Sequence, residues 1–266
     1  MPISEDSSII PRKITHSEDA GIIPANLPVT AGGSFAFRQS IYYDGAADKC
    51  ETASSSTAWN PLANGNDVSF SCWARSIDTK EFSNGDQLWH VVDGTDSSQL
   101  SFDVTGTDAY LEGRSRNVGF VSTYAIPSAT QKAWSMYTIV IVEQARGSQQ
   151  IKLFVNAVLV ETLTISNTTL TNSSVNLSLG SGTDTLRGYL CEAVFSNYAF
   201  TDADVVALYN AGAGEKPTAV LTSVHSYYPV TEAAGQTSGT IADLMGNADL
   251  TMSNFAAPNG TSNERP

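Results

Sequence analysis

This chain of 266 residues is poor in the side chains that build chemistry, with three cysteines, three histidines and four methionines. Cys50, Cys72 and Cys191 are an odd number without a CxxC spacing, which excludes a disulfide framework and makes buried free thiols the default. His16, His90 and His225 are scattered, each reading as a strand or surface histidine, and no GxSxG elbow accompanies the many serines. Positive charge is scarce as well. The 14 Lys and Arg against 27 Asp and Glu leave a net charge of −13, which repels nucleic acid and anionic membrane and otherwise serves solubility. No run approaches the roughly 18 apolar residues of a membrane helix. The opening MPISEDSSIIPRKITHSEDAGIIPANLP has no apolar signal core. The expectation is a protein made in a cytosol that does not enter a bilayer.

What the chain does have is short apolar runs separated by Ser, Thr, Asn and Gly, the pattern of many strands joined by polar turns, at a length that fits one all-β sandwich with attachments. In GYLCEAVFSNYAFTDADVVALYNAG (188–212), Tyr189, Cys191, Ala193 and Phe195 alternate with Leu190, Glu192, Val194 and Ser196, a period of two that predicts a strand. Thr201 then stands at an N-cap position, Asp202 and Asp204 fill a first helical turn and Gly212 ends it. The spacing predicts one helix over 202–210 that docks through Val205, Val206, Leu208 and Tyr209. Upstream, SIYYDGAADKC (40–50) reads as a strand followed by an Asp-Gly turn, VSFSCWARS (68–76) as a long strand, and WSMYTIVIV (134–142) with IKLFVNAVLVET (151–162) as a hairpin turning at Asn156-Ala157.

In this order these segments resemble the laminin G-like, concanavalin A-like lectin jelly roll over residues 36–212. The resemblance implies an all-β sandwich of two antiparallel sheets, carrying here an extended N-terminal arm and one short helix. Cys72 and Cys191 fall on strands that such a fold places near one another, which leaves one bridge open. Glycan-cleaving relatives carry an ExDxE or ExDxxE strand that sets two carboxylates at hydrolytic separation. No such string occurs; Glu143 is followed by Gln144, and Glu192 lies between Cys191 and Ala193. The chain is therefore read as no enzyme, with no catalytic residue. Relatives often hold calcium at a rim, and Asp44, Asp48, Asp93, Asp96, Asp103, Asp108 and Asp184 are available. Asp44-Gly45 and Asp93-Gly94 read first as turns, so no metal ligand is assigned and calcium stays the one ion to test. The sequons at Asn167, Asn172, Asn176 and Asn259 likewise read as polar turns. For sugar binding the candidate aromatics are Trp59, Trp89, Tyr110 and Tyr124; strand context places Trp73, Trp89 and Trp134 in the core, and no ligand site is named.

The two ends differ from the middle. Residues 1–35 combine Pro2, Pro11, Pro24 and Pro28 with Ile3, Ile9, Ile10, Ile14, Ile22 and Ile23. An extended arm lying on a partner fits both facts and is the reading adopted; a disordered leader fits the composition alone. Residues 213–266 contain HSYYPVTEAAGQTSGTIADLMGNADLTMSNF (225–255), similar to the segment that often precedes the laminin G-like jelly roll. Following the domain here, it either permutes the sandwich, completes a neighbour's sheet by swapping, or begins a truncated second domain. A helix coda followed by an aromatic strand and Asp-x-x-Gly-Asn is most similar to laminin G-like proteins of tailed bacteriophages. That resemblance implies a virion surface protein, a capsid decoration whose partners are the major capsid protein, other virion proteins and copies of itself. The alternative is a tail-associated or surface protein that recognises host glycan.

Overall fold

The structure, a computed structural model, describes residues 39–45, 47–53, 67–77, 81–93, 96–105, 108–115, 118–144, 147–166, 175–180, 185–257 and 260–266. The expected arm, His16, Trp59, Asp184 and three of the sequons, Asn167, Asn172 and Asn259, lie outside them. The short apolar runs become strands: β1 (Ser40–Asp44), β2 (Lys49–Thr52), β3 (Val68–Ser76), β4 (Gln87–Asp93), β5 (Asp96–Thr105), β6 (Asp108–Ser115), β7 (Val118–Ile126), β8 (Ser135–Gln144), β9 (Ser148–Val155), β10 (Val158–Ser166), β11 (Val175–Leu179) and β12 (Arg187–Ser196). Four short strands close the chain: β13 (Ser226–Tyr228), β14 (Gly239–Ile241), β15 (Leu250–Ser253) and β16 (Gly260–Ser262). They form two antiparallel sheets of eight strands each, a jelly-roll sandwich. The first runs β10-β9-β8-β3-β12-β1-β16, with β13 also on β12; the second runs β14-β15-β2-β11-β4-β5-β6-β7.

Aromatic rings fix which faces meet. Phe70 on β3 lies 5.5 Å from Trp89 on β4 and 4.6 Å from Phe195 on β12, and Phe102 on β5 meets Tyr137 on β8 edge-on at 5.3 Å. Each such side chain, fully buried, contributes about 1.5–3 kcal/mol of transfer free energy. The alternation predicted for β12 is broken by a bulge between Cys191 and Val194, where Glu192 takes φ 51 and is buried against the Tyr227 hydroxyl, which donates to its Oε2. Below the bulge β1 flanks β12; above it β13 does.

Residues 213–266 pair within their own chain and contribute to both sheets: β13 joins β12, β16 joins β1, and the β14–β15 hairpin joins β2. Asp243 organises this segment. Its carboxylate accepts from the backbone N–H of Tyr227, Met245, Asn247 and Ala248, which explains the Asp-x-x-Gly-Asn string physically. All three cysteines are buried free thiols, raised by desolvation; the bridge left open between Cys72 and Cys191 does not form.

The predicted helix is α2 (Asp202–Tyr209), after α1 (Ser128–Lys132) and before α3 (Pro217–Val220). A capping box between Thr201 and Asp204 starts α2, and Val205 and Leu208 are buried, but Val206 is exposed and does not dock. Its expected stop is also displaced, since Asn210 rather than Gly212 takes the left-handed cap. The expectation of one helix misses α1 and α3, which at five and four residues are too short to show a period. The central hairpin turns at Asn156 (φ 51) and Ala157 (φ 62), both left-handed, and the Asn156 side chain accepts from the Met136 N–H to tie the turn to β8.

Candidate functional site

Strand pleating puts the two faces of the second sheet to different uses. Trp89 faces the core, and its cross-strand row runs Met252, Cys50, Leu179, Trp89, Leu100, Gly113 and Phe120, all buried. The adjacent row on the opposite face crosses all eight strands as Thr240, Thr251, Glu51, Ser178, His90, Gln99, Arg114 and Gly119. No large apolar side chain occurs in it. On β5 and β6 two further outward rows follow at about 7 Å steps, Ser101 opposite Glu112 and Asp103 opposite Tyr110.

A hydrogen-bonded chain holds these side chains. Gln87 Nε2 donates to Gln99 Oε1 at 3.4 Å, and the Ser101 hydroxyl donates to Glu112 Oε1 at 3.1 Å. Beside it lies a depression of about 320 Å³ lined by Gln99, Glu112, Gly113, Arg114, Gly119, Phe120 and Val121. Two glycines shape it differently. At Gly113 a side chain would strike the Phe120 ring and the Gln99 carbonyl, each at 2.5 Å, so the ring closes over the bare backbone. At Gly119 nothing stands closer than 3.9 Å, so its missing side chain leaves open space next to Arg114. Burial holds the His90 imidazole below its ordinary value, and the Arg114 guanidinium adds to the effect, so the ring is neutral at pH 7.

Of the aromatics singled out by sequence, Trp89 is 1% exposed in the core and offers nothing to a ligand. Tyr110 stands half-buried on the outer face in line with Glu112 and Arg114, and Tyr124 is exposed on β7. Gln99, Glu112 and Arg114 escaped sequence reading, although the alternation of DAYLEGRS carried the signal for Glu112 and Arg114. Glu143 accepts from the buried Gln149 amide at 2.5 Å, and His225 shares a 3.0 Å hydrogen bond with the Ser226 hydroxyl. Asp48, 1% exposed, accepts from the Asp44 N–H at 3.1 Å within the β1–β2 turn. Among the described residues no three His, Cys, Asp or Glu converge as a metal would require. Asn176 lies in β11, where its side chain accepts from the Thr52 hydroxyl.

Residues 39–206 match the family model of the concanavalin A-like lectin/glucanases superfamily, and the chain belongs to that superfamily. No curated protein matches it. Among solved structures, the heptameric SAP-like pentraxin of Limulus polyphemus is 10% identical with a TM-score of 0.49, over 68% of this chain and 85% of that one. Domain 4 of an extracellular arabinanase of Geobacillus stearothermophilus, solved with arabinotriose, is 16% identical with a TM-score of 0.42, over 66% and 81%. The CBM40 of the Ruminococcus gnavus IT-sialidase, solved with α2,3 sialyllactose, is 15% identical with a TM-score of 0.42, over 65% and 97%.

Proposed function

We propose that this chain is a non-catalytic saccharide-binding protein whose ligand lies along the outer face of β5, β6 and β7. The observation that carries this reading is the set of three successive outward rows, Gln99–Arg114, Ser101–Glu112 and Asp103–Tyr110, beside the open space at Gly119. Saccharide hydroxyls both donate and accept; an amide, a carboxylate and a guanidinium at strand spacing match them in kind, and Tyr110 with Val121 offers apolar surface to a ring face. The lining of the depression contributes one carboxylate, Glu112, where hydrolysis needs two, which favours binding over cleavage. Isothermal titration against an oligosaccharide panel tests it. The wild type binds at least one member, and Gly119→Leu, which fills the open space without backbone strain, weakens that affinity at least tenfold; unchanged affinity in Gly119→Leu overturns the placement.

A second reading, display on a virion surface, is favoured by a specific feature, the aromatic strand and Asp243 turn that follow the helix coda and are used here by both sheets. Copies of the chain per purified particle test it: hundreds support capsid decoration, a few dozen support a tail-borne binder, and none removes the reading.

A further inference from the structure

Arg114 is exposed at the depression, and among the described residues it has neither an ion pair nor a side-chain hydrogen bond. Cations are scarce in this chain, 14 against 27 anions. Among the described residues, other cations are paired with carboxylates: Lys49 with Glu51, Arg75 with Glu264, Lys132 with Glu81 and Lys152 with Asp202. The neighbouring carboxylate does not supply the missing partner, since Glu112 Oε1 is taken by the Ser101 hydroxyl. The open space at Gly119 lies directly across the strands from Arg114, one row away from Glu112, which pairs with Val121 instead.

Resting on the saccharide-binding reading of this face, we infer that the ligand is acidic, a uronate-containing saccharide whose carboxylate sits over Gly119 against the Arg114 guanidinium. The fork of a guanidinium matches a planar carboxylate through two parallel N–H···O bonds, a pairing that a neutral hydroxymethyl group cannot make. Placement over Gly119 sets the ligand's charge directly across from Arg114 and diagonal to Glu112, leaving Glu112 and Gln99 to the ring hydroxyls. Arg114 is thus assigned as the residue that sets specificity.

The test is titration calorimetry with matched pairs of gluco-, galacto- and manno-configured oligosaccharides, each as the neutral sugar and as its uronate, on the full chain. The expected result is a preference of about tenfold or more for a uronate over its neutral twin, the equivalent of 1.4 kcal/mol. Arg114→Gln abolishes the preference, bringing each uronate and its neutral twin to equal affinity, while Arg114→Lys restores part of it. Equal affinities within every pair, or a preference that survives Arg114→Gln, overturn the inference and leave saccharide binding standing. Failure of every saccharide to bind overturns both. The circular dichroism of each variant shows that it has folded.

Discussion

Strands β3 and β6 have similar lengths, nine and eight residues, and opposite surroundings. All nine residues of β3 are buried, whereas β6 alternates strictly between inward Ala109, Leu111, Gly113 and Ser115 and outward Asp108, Tyr110, Glu112 and Arg114. The reason lies outside the strands themselves. The outer face of β3 is covered: Tyr209 of α2 stacks on Trp73 at 5.7 Å, the Ser69 hydroxyl donates to the Tyr198 carbonyl, and Arg75 lies over Tyr189 while bonding Glu264. The polar and aromatic groups on that face are taken up by contacts within the fold, Ser71 with Thr138 among them. On β6 the outward side chains stay exposed at Asp108 and Arg114 and half-buried at Tyr110 and Glu112, with no helix of the described residues packed over them. The C-terminal strands complete both sheets, and the second also carries the candidate site.

Substitutions can break that contrast from either side. The largest effect belongs to Phe195→Ala, which removes a ring packed on both Phe70 and Trp89; unfolding in urea loses about 3–5 kcal/mol. Asp243→Ala strips an acceptor from four backbone N–H groups and detaches β13 and the β14–β15 hairpin, costing about 3 kcal/mol in the same measurement. Acidification acts on both sheets. His90 and His225 are each held below their ordinary 6.5 by burial, with Arg114 adding to the effect at His90 and Asp243 opposing it at His225. A depressed value in the folded state favours the neutral ring, so this stabilisation is complete above about pH 6.5 and is lost as pH falls through the depressed values. Urea midpoints therefore fall from pH 7 to pH 5, and His90→Gln with His225→Gln flattens the slope. Ala157→Gly relieves a left-handed alanine in the central hairpin and raises stability by about 1 kcal/mol. Gly119→Leu changes stability least, within about 0.5 kcal/mol, while weakening saccharide binding.

The contrast also explains what sequence could and could not show. VSFSCWARS gives β3 to the residue, because its signal is a local apolar run, and Thr201 with Asp204 marks the start of α2 for the same reason. Local pattern does not say how a helix face is covered, so Val206 is wrongly docked, and it takes no account of turns below a helical period, so α1 and α3 are missed. The outward row is harder still. Glu51, His90, Gln99, Arg114 and Thr251 become neighbours only through strand register across the whole second sheet, and no spacing along the chain announces it. Trp89 is the opposite case, since its strand context reads as core and its contacts with Phe70 and Phe195 place it there.

The central claim is that a ligand uses the outer face of the second sheet and leaves that of the first alone. Amide chemical-shift mapping during titration with the oligosaccharide panel measures this directly. Perturbations concentrated at Gln99, Glu112 to Arg114 and Gly119 to Val121, with α2 and the outer face of β3 silent, are the predicted result. Perturbations confined to α2 and β3, or absent from β5, β6 and β7 with every saccharide, contradict it.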